Sequence, residues 1–179
     1  MGDLEPFGSS YPPGRNPFMS DTPIRGLMVP AEPSALPTRA TFHGLGTIQA
    51  TVGGYVEAVN TEREGLTLYA NDEGKLRGLP LNKRATVLWW LHSPAARGVD
   101  VLVGDVAVVG QPDPDGANVG LPEQFMDVVL GDQRFEIELQ VGPARWERSD
   151  ARYGYFAAGA RALRLIAALG LPDARIRPA

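Results

Sequence analysis

Residues Val99 to Val109 read VDVLVGDVAVV, a nearly unbroken apolar run. A strand with one wet face alternates apolar and polar residues. A run like this one suits a central strand buried on both faces. The chain is therefore expected to build a sheet around this segment. Its 179 residues can bury such a core without disulfide or metal staples.

Prolines and glycines cut the rest of the chain into short elements. Residues 1–23 carry Pro6, Pro12, Pro13, Pro17 and Pro23 and are expected to form a disordered tail. Met19 offers an alternative start, MSDTPIRGLMV. Ile24–Val29 and Thr38–Phe42 read as strands, and Gly44–Val52 has helical spacing ended by Gly53-Gly54. Tyr55–Val59 and Leu66–Ala70 form an expected hairpin, with Val56 and Ala58 on one face. Asn71-Asp72-Glu73-Gly74 is a turn in which Gly74 supplies positive φ, and Gly78 and Pro80 make the next segment irregular. Asn82 caps a helix from Lys83 to His92. Farther on, Asp127–Leu130 and Arg134–Val141 read as a strand pair, the second with Glu136, Glu138 and Gln140 on its wet face. Ala151–Leu169 reads as a long helix with Tyr153, Phe156, Ala160, Leu163 and Ala167 on its buried stripe, ended by Gly170.

The expected class is α+β: a small mixed or mostly antiparallel sheet with one or two helices packed on a face, plus a C-terminal β-hairpin and a long helix. Residues 1–23 form the tail and 24–123 an α+β domain. Residues 124–179 hold the hairpin and helix, packed on that domain or appended to it.

Composition removes several classes of chemistry. The chain has no cysteine, which excludes disulfide frameworks, thiolate metal sites and thiol nucleophiles. A net charge of −4 does not suit a polybasic membrane or DNA-coating protein. No apolar stretch is long enough to span a bilayer, and the N-terminus lacks the pattern of a secretory signal. A cytoplasmic location is expected, with no membrane contact, no cofactor and no metal.

The candidate site residues fall in three groups. Tyr69, Asn71 and Asn82 gather polar groups at one end of the expected sheet. They suit an acid–base or binding site, and equally a turn and a helix cap. Lys83, Arg84 and Trp90 lie on one helix, where cations beside an indole can meet phosphates and bases; an exposed tryptophan more often anchors a protein interface. Trp146, flanked by Arg145, Arg148 and Arg152, offers a second such surface. Gly53, Gly54, Gly74, Gly78 and Pro80 are read as structural. His43 and His92 have no second histidine at metal-ligand spacing, and either could meet a carboxylate such as Glu57 or Asp105. The loop Asp113–Asn118 has its glycine at the wrong position for a calcium loop.

Residues 24–122 carry IRGLMVPAEP, IQATVGGYVEAV, LTLYANDEGKLRGLPLNKRAT, VLVGDVAVVG and GLP in that order. This pattern resembles a domain-of-unknown-function family, number 3846, of actinobacteria and their phages and plasmids. The resemblance implies a fold and a genomic setting but no reaction. Three functions are carried forward. The first is a non-enzymatic protein-interaction or regulatory module of a mobile element or its host, with a protein partner and with homodimerisation open. The second is a nucleic-acid-associated accessory protein. The third is a small enzyme with an acid–base site near the Asn71–Asn82 turns.

Overall fold

A computed structural model of the chain describes residues 22–114, 116–117 and 119–179. The proline-rich segment up to Asp21, with the alternative start at Met19, lies outside these residues.

The apolar run builds the sheet, though with less of its length than expected. Strand β5 spans only Val106–Gly110. Gly104 takes φ 69°, and a Cβ there would lie 2.8 Å from Leu79 Cδ1, so the chain turns before the strand begins. Within β5, Val106 and Val108 face one core while Ala107 and Val109 face another. Its neighbours are β1 (Ile24–Val29) and β4 (Leu66–Asn71), both antiparallel to it. Outside these lie β2 (Thr38–Phe42) and β3 (Val56–Asn60), giving the order β2-β1-β5-β4-β3. A Cβ on Gly26 would lie 2.2 Å from the Val108 carbonyl oxygen, so only glycine lets β1 approach β5 here. On the edge strand β3 the expected buried face is thin: Ala58 is exposed and Val56 and Val59 are half-buried.

Helices cover both faces. Helix α1 (Gly44–Val52) packs Ile48 against Ile24, Phe42 and Tyr69, and Gly53 ends it in the left-handed conformation at φ 75°. On the other face α2 (Lys83–His92) buries Ala85, Leu88 and Leu91 beside Leu27, Leu68 and Val106. Helix α3 (Glu123–Leu130) joins the same core through Met126 and Val129. The expected strand at Asp127–Leu130 is therefore the last turn of a helix. The four-residue window DVVL is too short to separate the two periods. The full stretch places Met126 and Val129 three apart on one face, with Glu123 favourable in the first turn.

A second, three-stranded sheet follows. Strand β6 (Phe135–Gln140) pairs antiparallel with β7 (Trp146–Arg148) in a hairpin and with β8 (Ala174–Pro178) on its other side. Helix α4 (Tyr155–Leu169) packs on this sheet, with Ala162, Leu163 and Ile166 against Ile137 and Ala174. It starts four residues later than expected, because Tyr153 exchanges backbone hydrogen bonds of 2.8 and 3.0 Å with Phe135. Its buried stripe is Tyr155, Ala158, Gly159, Ala162, Leu163 and Ile166. The alanine-rich sequence leaves the stripe's phase open, and the approach to α2 sets it. A Cβ on Gly159 would sit 2.9 Å from Val87 Cγ1.

Asn82 ties these parts together. It is fully buried; its Oδ1 accepts from Ala85 N at 2.9 Å, capping α2. Its Nδ2 donates to Val29 O at the end of β1 and to Gly104 O before β5, both at 2.9 Å. Asn82→Ala should lower unfolding free energy by roughly 2–4 kcal/mol in urea denaturation, since it removes a cap and strands two buried carbonyls. Asn82→Asp keeps the acceptor but aims oxygens at those carbonyls, so it should be at least as damaging. A near-wild-type midpoint for the aspartate variant would count against this account.

Candidate functional site

Two surfaces stand out, and both use residues the sequence singled out. The first is a groove of about 660 Å³ between α2 and α4. Val87 and Trp90 line it from α2, and Ala160, Leu163 and Ala167 from α4, each set at helical spacing along one stripe. Trp90 is held in place by its Nε1–H, which donates to Asp100 O at 2.8 Å. The charged residues on the groove are Lys83, Arg97 and Arg164, all cations. Arg97 pairs with Asp173 at 2.8 Å, whereas Lys83 and Arg164 make no ion pair among the described residues.

The second surface is the outer face of the β7-β6-β8 sheet. Glu136 and Glu138 were expected on a wet face, yet both are buried. Arginines cover them. Glu138 accepts from Arg148 at 3.0 Å, Arg175 at 2.6 Å and Arg177 at 2.8 Å. Glu136 is met by Arg148 at 3.4 Å and Arg152 at 3.3 Å. Arg175 also lies over the Trp146 ring, 4.1 Å from its centroid. Burial alone would raise the Glu138 carboxyl; hydrogen bonds from Arg175, Arg177 and Arg148 overcome that and hold it at about 2. Charge is unevenly distributed along the chain. From Arg134 onward there are eight arginines against five carboxylates, while residues 1–133 hold nine cations against sixteen carboxylates.

The remaining candidates are absorbed by the fold. Tyr69 is buried with Ile24, Phe42 and Ile48. Asn71 is buried as well: its Nδ2 donates to Val52 O at 3.2 Å and its Oδ1 accepts from Glu73 N at 3.0 Å. Arg84 donates to Ala35 O and Pro33 O, both at 2.8 Å, pinning the loop after β1. The cavity beside Asn71 is about 20 Å³, room for roughly one water. Gly78 has the positive φ expected of a turn, 66°. Gly74 does not; it is needed for space, because a Cβ would lie 2.8 Å from Val103 Cγ2. Gly54 likewise makes room for Asn71 Nδ2, 2.6 Å from where its Cβ would be. Pro80 accepts from Gly104 N at 2.8 Å. Asp113 Oδ1 accepts from Ala117 N at 2.9 Å inside its own loop, whose residues 115 and 118 lie outside the described set. No group of metal-ligating side chains is found among the described residues. None of the described helices is long and apolar enough to cross a membrane.

His92 meets a tyrosine rather than a carboxylate. Its Nε2 and the Tyr155 hydroxyl share a hydrogen bond of 2.7 Å, with Phe125 packed edge-on to both rings. Burial, with a smaller contribution from Arg63, pushes the imidazole down to about 4. Burial, followed by nearby Glu64, pushes the Tyr155 hydroxyl up. The folded protein therefore holds His92 neutral, while the unfolded chain takes up a proton below 6.5. Stability from this pair is complete above pH 6.5 and is lost as pH falls toward 4. Glu138 acts lower, losing its contribution as pH falls from 4.5 toward 2. Urea denaturation of the wild type should show a loss of roughly 2 kcal/mol between pH 6.5 and 4.5, and His92→Gln should remove most of that slope. An equal slope in the variant would assign the effect to other groups.

No curated protein and no solved structure matches the chain. The family model described as Domain of unknown function (DUF3846) matches residues 24–133, running from β1 through the end of α3, and with more than half of its length covered the chain belongs to that family.

Proposed function

We propose that this protein is a non-enzymatic interaction module that docks an amphipathic helix of another protein in the groove between α2 and α4. The supporting observation is the groove's composition: apolar stripes from two helices, with only cations among its charged residues. Two adjacent helices present ridges whose natural complement is a third helix with apolar residues at i, i+3, i+4 and i+7. Lys83 and Arg164, which line the groove and make no ion pair among the described residues, suit acidic residues flanking that stripe. Trp90 supplies the large, rigid anchor around which interface energy concentrates. A cytoplasmic location, and service to a mobile element or its actinobacterial host, belong to this reading; the genomic setting rests on the resemblance alone. The enzyme alternative has less support, because Asn71 and Asn82 are both engaged with backbone and the cavity beside Asn71, at about 20 Å³, is too small for a substrate.

The test is a tagged pull-down from native cells, with and without nuclease, comparing wild type with Ala160→Trp and Ala167→Glu. The first variant fills the groove and the second sets an acid against the partner's acids. One stoichiometric, nuclease-resistant protein should be recovered with wild type and lost with both variants, at unchanged melting temperature. A partner retained by both variants docks elsewhere, and a small molecule found in the groove by native mass spectrometry would replace the protein ligand.

A further inference from the structure

We propose that the outer face of the β7-β6-β8 sheet binds single-stranded nucleic acid, with phosphates on Arg148, Arg152, Arg175 and Arg177 and a base stacked at Trp146. This site is separate from the groove and does not depend on its reading. The simplest alternative is that the arginines only neutralise Glu136 and Glu138. Two carboxylates cannot neutralise four guanidiniums, so two positive charges remain on the face. Arg175 and Arg177 each use Nε–H on Glu138, which leaves the terminal nitrogens of both guanidiniums for another acceptor. The arginine side chains stay open, Arg148 at 57% and Arg177 at 49%, while Glu138 beneath them is at 9%. Glu138 thus acts as a positioning residue that holds three guanidiniums on one face of the sheet.

The ligand class follows from the geometry. Arg175 and Arg177 stand two residues apart on one strand, about 6.6 Å, comparable to the reach of one extended nucleotide. Guanidinium forks match phosphate oxygens better than lysine ammonium groups, and Arg134 to Ala179 contains no lysine. An indole beside cations on an open sheet is the arrangement that stacks an unpaired base, which a duplex does not offer. Next to this face lies an open cleft of about 440 Å³, lined by Arg63, Arg175, Arg177 and Trp146 together with the carboxylates Glu64 and Asp173. Asp173 in that cleft is already held by Arg63 and Arg97, at 2.6 and 2.8 Å. The excess of cations from Arg134 onward favours a polyanion on this part of the chain.

Fluorescence anisotropy with a labelled oligothymidylate of about twelve nucleotides, starting at about 50 mM salt, tests the site. Wild type should bind, with log K falling against log salt at a slope of about −2 to −3, as expected for three or four phosphates. Arg148→Gln with Arg177→Gln should weaken binding at least about ten-fold and flatten that slope. Arg175 remains to hold Glu138 in that variant, and a thermal melt checks the fold. If the double variant does not fold, Arg152→Gln alone should still flatten the slope. Trp146→Leu should cost at least about five-fold through the lost stack. Arg161→Gln, on the exposed side of α4, should bind as wild type. Absence of binding at low salt overturns the proposal. So does an equal loss from Arg161→Gln, or full binding by Trp146→Leu.

Discussion

The Asn82 side-chain amide determines where α2 sits, and both layers of the molecule pack on α2. One oxygen and one nitrogen reach three separate segments: the first turn of α2, the end of β1 and the lead into β5. A buried amide is costly unless its partners are supplied. Here they are, so the helix start cannot slide relative to the sheet without breaking all three. With that end set, Ala85, Leu88 and Leu91 face the five-stranded sheet, and Val87 and Trp90 face α4. The second layer, and the groove along it, follow from that orientation.

The second layer depends on carboxylates as much as on apolar contact. Strand β8 is short and rich in arginine, a poor strand by itself. Glu138 on the central strand draws Arg148 from one neighbour and Arg175 and Arg177 from the other. Asp173, just before β8, is held by Arg63 from the β3–β4 turn and Arg97 from the segment after α2. These partly buried pairs escape much of the screening that weakens exposed ones. The Glu138 pairs hold the three strands of the small sheet to one another, and the Asp173 pairs fasten that sheet to the larger body, as α4 does through Gly159 and the apolar stripe.

Polar residues in this protein therefore divide by what surrounds them. Asn71, Asn82 and Arg84 are occupied with backbone carbonyls and amides, and the fold accounts for them. Lys83, Trp90 and Trp146 keep part of their surface open, at two places where apolar or cationic neighbours converge. Both surfaces lie on elements that α2 organises or adjoins. The family match ends at residue 133, so β6 to β8 and α4, which complete the groove and carry the arginine face, lie beyond it.

Local chemistry was enough to read the first half of the chain. Strands β1 and β2, helix α1 with its Gly53 cap, the β3–β4 hairpin and α2 with its Asn82 cap each carry their signal within a few residues. The two-sided burial of β5 was legible in its composition, and so was the α+β class. The candidate surfaces were legible only as residue types: an indole beside cations near Trp90, and another near Trp146. Whether a given polar group would be used up by the fold was not readable, because its partners are distant in sequence. Asn82 meets Val29, fifty-three residues away, and Arg175 meets Glu138, thirty-seven away. The same holds for Glu136 and Glu138, whose alternation with apolar residues marks a wet face until arginines from two other segments fold over it. By itself the sequence determined which segments become helix or strand where capping and turn chemistry are local. Tertiary structure decided which side chains remain available for function, because that depends on long-range partners and on the close approach of α4 to α2.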